Sequence, residues 1–208
     1  MKKILALDPG QCTGFGLIES VKGAAPALLD YGIVPVIGQG LGALVASTKN
    51  WLDDYVGKHG LRGSDSDVVF EESICVYTLK TRSEGKEVRG VIRAWCEQNK
   101  PVDYVAYTPA AVRSQLDLPQ KGTVKTYAKN FVELVFGQEF VAVPDHVTDA
   151  LVVGLAHALR EGLWTAKIGM RKVEARMQTR GVARRTSDGP VRMSAEQYQR
   201  LVKAGAIK

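Results

Sequence analysis

Several acidic and imidazole-bearing residues of this 208-residue chain stand where a fold could gather them. Asp8 follows directly on the apolar run Ile4-Leu5-Ala6-Leu7, and Glu71 closes the run Val68-Val69-Phe70. Each run reads as a buried strand, so each acid occupies a place that the core fixes. A third group, Asp145, His146 and Asp149, opens a strongly apolar segment, and its spacings of three and four residues put 145 and 146 on the helical face of 149. If the two strands are neighbours, these groups converge. Carboxylates packed that closely cannot all stay ionised without a cation, and an oxygen-rich set with one imidazole suits a hard divalent ion, Mg²⁺ or Mn²⁺. Simpler roles compete at some positions. Asp145, after Pro144, reads either as a helix N-cap or as a ligand, the ligand reading being the lesser. Glu72 alternates to the other side of the strand from Glu71, so only one of them shares the site, and Glu71 is favoured. His157 reads as a packed or hydrogen-bonded core histidine, and Asp30 and Asp117 as solvated loop acids.

The elements that must position these groups follow from the apolar pattern. Residues 4–7, 13–18 and 27–34 are three apolar segments separated by turn residues, an expected antiparallel meander. Glycines in the second segment let backbone or ligand come close. Residues 40–56 carry Leu41, Leu44, Val45, Trp51, Leu52 and Tyr55 at helical spacing, with Gly57 and Gly60 to stop the helix. A helix is expected over 85–98, a strand over 103–107, and Thr108-Pro109 supplies an N-cap and a first-turn proline for the next helix. "KGTVKTYAKNFVELVF" is amphipathic with Lys121, Lys125 and Lys129 about one turn apart, and "VPDHVTDALVVGLAHALREGLW" is a last apolar helix. The order β-β-β-α-β-α-β-α-α implies a mixed α/β sheet covered by helices.

The formal charge is +6, unevenly spread: residues 165–208 hold eleven Lys/Arg against three Asp/Glu, a balance of +8, and residues 1–164 stand at −2. A basic tail on a near-neutral body points to a polyanion, nucleic acid ahead of a membrane surface because the tail lacks a strong apolar face. Within it, Ser194-Ala195-Glu196-Gln197 has the form of a capping box opening a short helix. Residues 1–164 are expected to form one domain and 165–208 a basic extension. Too few apolar residues follow Met1-Lys2-Lys3 for a signal peptide, so a cytoplasmic protein is expected. Cys12, Cys75 and Cys96 are odd in number and scattered, which argues for apolar fillers rather than disulfides or a zinc site.

"ILALDPGQCTGFGLI", "VVFEES", "EGKEVRGVI", "YTPAAVR", "KGTVK" and "DHVTDALVVGLAHA" occur in the order and at about the intervals of RuvC-type Holliday-junction resolvases. The chain resembles that family over about residues 2–162; the tail is unmatched. The resemblance implies an RNase H-like fold with a mixed five-stranded sheet flanked by helices, to which the basic helical extension is added. It also implies a homodimer and a crossover junction endodeoxyribonuclease using two Mg²⁺ ions, with Mn²⁺ as a substitute. Such an enzyme nicks four-way and related branched DNA to leave 5′-phosphate and 3′-hydroxyl ends, and the glycine-rich hairpin behind Asp8 is then expected to leave room for the DNA backbone. The lengthened tail raises a phage or prophage variant.

Carried over residue by residue, the resemblance places the metal-binding and catalytic acids on Asp8, Glu71 and Asp149. Its third acidic position falls on His146, where some members have histidine, with Asp145 the less favoured substitute. The basic catalytic position falls on Lys125. DNA contacts are assigned to Tyr77, Lys80, Arg82, Lys86, Arg89, Lys121, Lys125 and Lys129. The family's junction-probing aromatic is not where an ungapped match places it in Ile74-Cys75-Val76-Tyr77. Rival readings are a ribonuclease of the related RNA-processing branch and a non-catalytic junction-binding protein; an actin-like phosphotransferase needs a longer, two-lobed chain.

Overall fold

The computed structural model describes residues 1–61, 66–71, 83–99, 103–119, 124–140 and 143–165, with the backbone alone for 66–71, 83–84, 103 and 124. Five strands, β1 (Lys2–Asp8), β2 (Gly14–Ser20), β3 (Ala27–Ile33), β4 (Ser66–Glu71) and β5 (Asp103–Tyr107), lie in the order β3-β2-β1-β4-β5. β1, β2 and β3 form the antiparallel meander, and β1, β4 and β5 run parallel. The helices are α1 (Gly40–His59), α2 (Ser83–Gln98), α3 (Pro109–Gln115), α4 (Val124–Phe136) and α5 (Asp145–Arg160).

Strand alternation sorts the sheet into two faces. The pairs Leu5↔Leu17 and Leu7↔Phe15 belong to the first, where they join Leu44, Leu52, Tyr55, Val88, Ile92 and Trp95 of α1 and α2 in one apolar cluster. The α1 helix stops because Gly60 adopts the left-handed conformation at φ 62° and the Leu61 N–H returns to the Val56 carbonyl, which buries Leu61 beneath the turn. Asp30, expected in a loop, lies in β3 and accepts a hydrogen bond from the Tyr55 hydroxyl at 2.9 Å. The hydroxyl of a ring packed in the core needs a partner, and the edge strand provides it.

The second face carries the pairs Ala6↔Gly16 and Asp8↔Gly14 and is covered by α5. Every α5 residue from Ala150 to Ala158 is buried, because the sheet lies on one side and α3 and α4 pack on the rest. An all-round apolar helix can only be placed this way. The approach is close. A Cβ on Gly14 would lie 2.1 Å from the His146 carbonyl oxygen, and one on Gly154 would meet Ile18 and Ala6 at 2.7 and 2.9 Å. The space beside the hairpin glycines, read from sequence as room for DNA, is therefore filled by α5, with its backbone at Gly14 and the Leu151 side chain at Gly16.

α3 opens as expected, with the Thr108 hydroxyl accepting from the Ala111 N–H at 3.2 Å and proline at its first position. Cys96 is buried, but Cys12 is exposed and fills nothing; Cys75 lies outside the described residues. No helix among the described residues is long and apolar enough to cross a membrane. All described residues belong to the unit Met1–Glu174; the second unit, Ala175–Lys208, lies outside them, as does the expected extension apart from Thr165.

Candidate active site

The site begins at the C-terminal ends of the two central parallel strands. Register pairs Leu7 with Phe70, so Asp8 and Glu71 are the next residues along neighbouring strands, and Glu71 pairs with Tyr107 on its other side. The side chain of Glu71 lies outside the described residues. Asp8 shares the face of Ala6, beneath the start of α5, and its carboxylate is only 17% exposed.

The docking of α5 on Gly14 brings its first turn to Asp8. His146 Nδ1 lies 2.6 Å from Asp8 Oδ2. With Asp8 ionised, the Nδ1–H donates, which leaves the lone pair on Nε2 and defines the tautomer that could ligate a cation. Asp149 stands one turn further along, half-buried. Burial raises its pKa to about 6, and the neighbouring charge of Asp8 pushes in the same direction. Asp8 is likewise raised by burial, with the His146 hydrogen bond and then Lys125 and Arg89 opposing the rise. Two desolvated carboxylates that each resist ionisation, beside an imidazole, match the donor chemistry of a hard divalent cation that would relieve both. Among the described side chains, no three His, Cys, Asp or Glu are grouped as a metal site; Glu71 is the expected donor that this grouping does not include.

Asp145 departs from its expected N-cap role. It is the first residue of α5, Pro144 is the N-cap, and the cap makes no side-chain hydrogen bond. A proline side chain has no acceptor, and the Asp145 carboxylate is turned instead to Lys125 Nζ at 2.6 Å. That hydrogen bond raises the Lys125 pKa, with the Asp149 and Asp8 charges adding to it. Lys125 thus stands at the rim of the acidic group. Arg89, assigned to DNA from the sequence, lies on α2 close enough to Asp8 to act on its charge. Lys86 on α2 is exposed and Lys129 on α4 is half-buried. Tyr77, Lys80, Arg82 and Lys121 lie outside the described residues.

Two features escaped the sequence reading. Glu133 in α4 is completely buried and accepts from the Phe140 N–H at 3.1 Å, holding the chain that leads from α4 toward α5. The Asp145–Lys125 pair joins residues twenty apart on different helices, and only complementary charges near the starts of two successive helices hinted at it. His157 is the hydrogen-bonded core histidine expected, its Nδ1 2.7 Å from the Tyr107 hydroxyl.

A mixed sheet whose two central parallel strands end in acids, with a further acid delivered by a helix, belongs to the RNase H-like class of folds. The structure resembles Thermus thermophilus RuvC in complex with a Holliday junction substrate, with a TM-score of 0.59 at 20% identity, covering 79% of this chain and 98% of that one. It also resembles the yeast mitochondrial Holliday junction resolvase, with a TM-score of 0.56 at 9% identity and 84% of each chain covered. These likenesses establish the fold. No family model matches the chain. By sequence it is 31% identical over 160 residues to the crossover junction endodeoxyribonuclease RuvC of Caldicellulosiruptor saccharolyticus, covering 76% of this chain and 92% of the relative. The RuvC of Clostridioides difficile is 29% identical over 161 residues, covering 74% and 89%. The chain belongs to the RuvC family of crossover junction endodeoxyribonucleases.

Proposed function

We propose that this chain is a metal-dependent endonuclease that nicks four-way junctions and related branched DNA, leaving 5′-phosphate and 3′-hydroxyl ends. The observation that carries the reading is the meeting of Asp8, at the end of the central strand, with His146 from the first turn of α5 in a chain of this family. Asp8, Glu71, His146 and Asp149 are the residues that would hold two divalent ions. Such ions supply an activated water and charge stabilisation for the leaving 3′-oxygen. Asp8 and Asp149 provide fixed negative charge in a partly desolvated place, and the short His146–Asp8 hydrogen bond fixes the imidazole. Lys125 offers its ammonium to a phosphate at the rim, and Arg89 a second cation from α2.

Lys86 and Lys129, with Tyr77, Lys80, Arg82 and Lys121 beyond the described residues, are proposed to track the DNA backbone. Residues 165–208 are proposed to add sequence-independent affinity. A homodimer working in the cytoplasm would set two sites against opposing strands of a four-way junction.

The deciding test is cleavage of four-way, three-way and linear duplex DNA and of structured RNA, with Mg²⁺, with Mn²⁺ and with a chelator. Metal-dependent symmetric nicking of the four-way junction is the expected result. Cleavage confined to RNA assigns the chain to the RNA-processing branch. Tight junction binding with no cleavage under any metal makes it a binding protein.

A further inference from the structure

The N-terminal part of α5 carries two acids, one turn apart, with different occupations. Asp149 belongs to the group around Asp8, whereas Asp145 is turned outward to Lys125, with side chains 55% and 67% exposed. An ion pair that exposed contributes little to stability, and Asp145 does not cap its helix. Its geometry therefore calls for another explanation. Lys125 sits on a flexible four-carbon stem, and its ammonium already feels the charges of Asp8 and Asp149 as well as that of Asp145. Both of those site acids are desolvated and would be relieved by any cation. Without an anchor elsewhere, the Lys125 ammonium, which already acts on both acids, is a cation within their reach.

We propose that Asp145 is a positioning residue: it holds the Lys125 ammonium at the rim of the site, which keeps Asp8 and Asp149 open to divalent cations and keeps Lys125 free for a phosphate. The proposal rests on the metal-dependent reading above. A lysine folded onto Asp8 and Asp149 would compete with the incoming ion for the same oxygens, and it would no longer stand where a phosphate could meet it.

The test is Mn²⁺ binding measured by calorimetry on the full chain, for the wild type, Asp145→Asn, Lys125→Met and the double variant, each checked for a cooperative melt. Asp145→Asn is expected to raise the half-saturating Mn²⁺ concentration about fivefold, the order of one competing unit charge in a partly exposed setting. The double variant is expected to bind like Lys125→Met alone, since the ammonium that would fall inward is gone. Asp145→Glu, which keeps the anchor, should restore wild-type binding and covers the case in which Asp145→Asn melts early. If Asp145→Asn weakens binding equally in the Lys125→Met background, Asp145 acts through its own charge or as a ligand and the proposal is overturned. An unchanged Asp145→Asn also overturns it. Failure of the wild type to bind Mn²⁺ defeats the metal-dependent reading itself, and that failure is seen before any variant is compared.

Discussion

On one face of the sheet, Phe15, Leu52, Ile92 and Trp95 fill the space beneath α1 and α2 with large side chains. On the other, Gly14, Gly16, Ala6 and Gly154 take side chains away so that α5 can lie against the strands. The first face gains its stability from apolar area removed from water. The second gives up some of that area for proximity, and the proximity brings His146 to Asp8. On the proposed reading, stability and chemistry are separated across a single layer of backbone, and substitutions on the two faces should have different signatures.

The largest expected effect is on the site itself. Asp8→Asn keeps the shape of the carboxylate and removes its charge, so cleavage should fall about 10³-fold or more while four-way junction binding in a gel-shift assay persists. Near-normal turnover by that variant would break the reading of Asp8 as a metal ligand. Next come paired substitutions, one on each face. Gly14→Ala places a Cβ against the His146 backbone and should lower turnover about 10²-fold by displacing the start of α5, with a stability loss of about 1–3 kcal/mol in urea melts. Ile92→Val on the opposite face should lose about 1 kcal/mol with turnover per folded molecule unchanged. Equal effects of the two on turnover would erase the distinction between the faces.

A third expectation sharpens the contrast through pH. The Asp149 pKa lies above its unfolded value of about 4, at about 6 in the fold. Between those values the folded state binds the additional proton, so this group's contribution to stability is largest at low pH and is lost as pH rises through about 6. Asp149→Asn should therefore stabilise the metal-free protein at pH 7.5 by about 1–2 kcal/mol while abolishing cleavage. At sub-saturating metal, wild-type cleavage should fall as pH drops below about 6, where a proton competes with the cation for Asp149. The smallest expected effect is that of Asp145→Ala on stability, within about 0.5 kcal/mol because its ion pair is exposed. A loss near 1 kcal/mol would return Asp145 to a capping role.

The parts legible in the sequence were those written in local signals. The Thr108-Pro109 helix start, the strand over 103–107 and the buried character of α5 each depend on neighbours within a turn or two, and each appears where the pattern placed it. Ordered motifs also carried the family. What the pattern missed depends on which surfaces meet. Glycine at 14 has the same local meaning whether DNA or a helix fills the space beside it, and only the docking of α5 decides between them. The same holds for Asp30, an ordinary turn residue until Tyr55 packs above it, and for Asp145, whose cap reading stood until α4 offered Lys125.

The contact between Asp8 and His146 closes a separation of 138 residues. Non-local contacts of that span form late, after local helices and hairpins, because the intervening chain must first surrender its freedom. During synthesis from the N-terminus, the first strand emerges long before the helix that completes the site. A growing chain can therefore have its meander paired and α1 packed while Asp8 still lacks His146 and Asp149. If Asp8, His146 and Asp149 carry the chemistry as proposed, the acid set is incomplete until the end of the core is made, and the power to cut would arrive together with the fold that directs it.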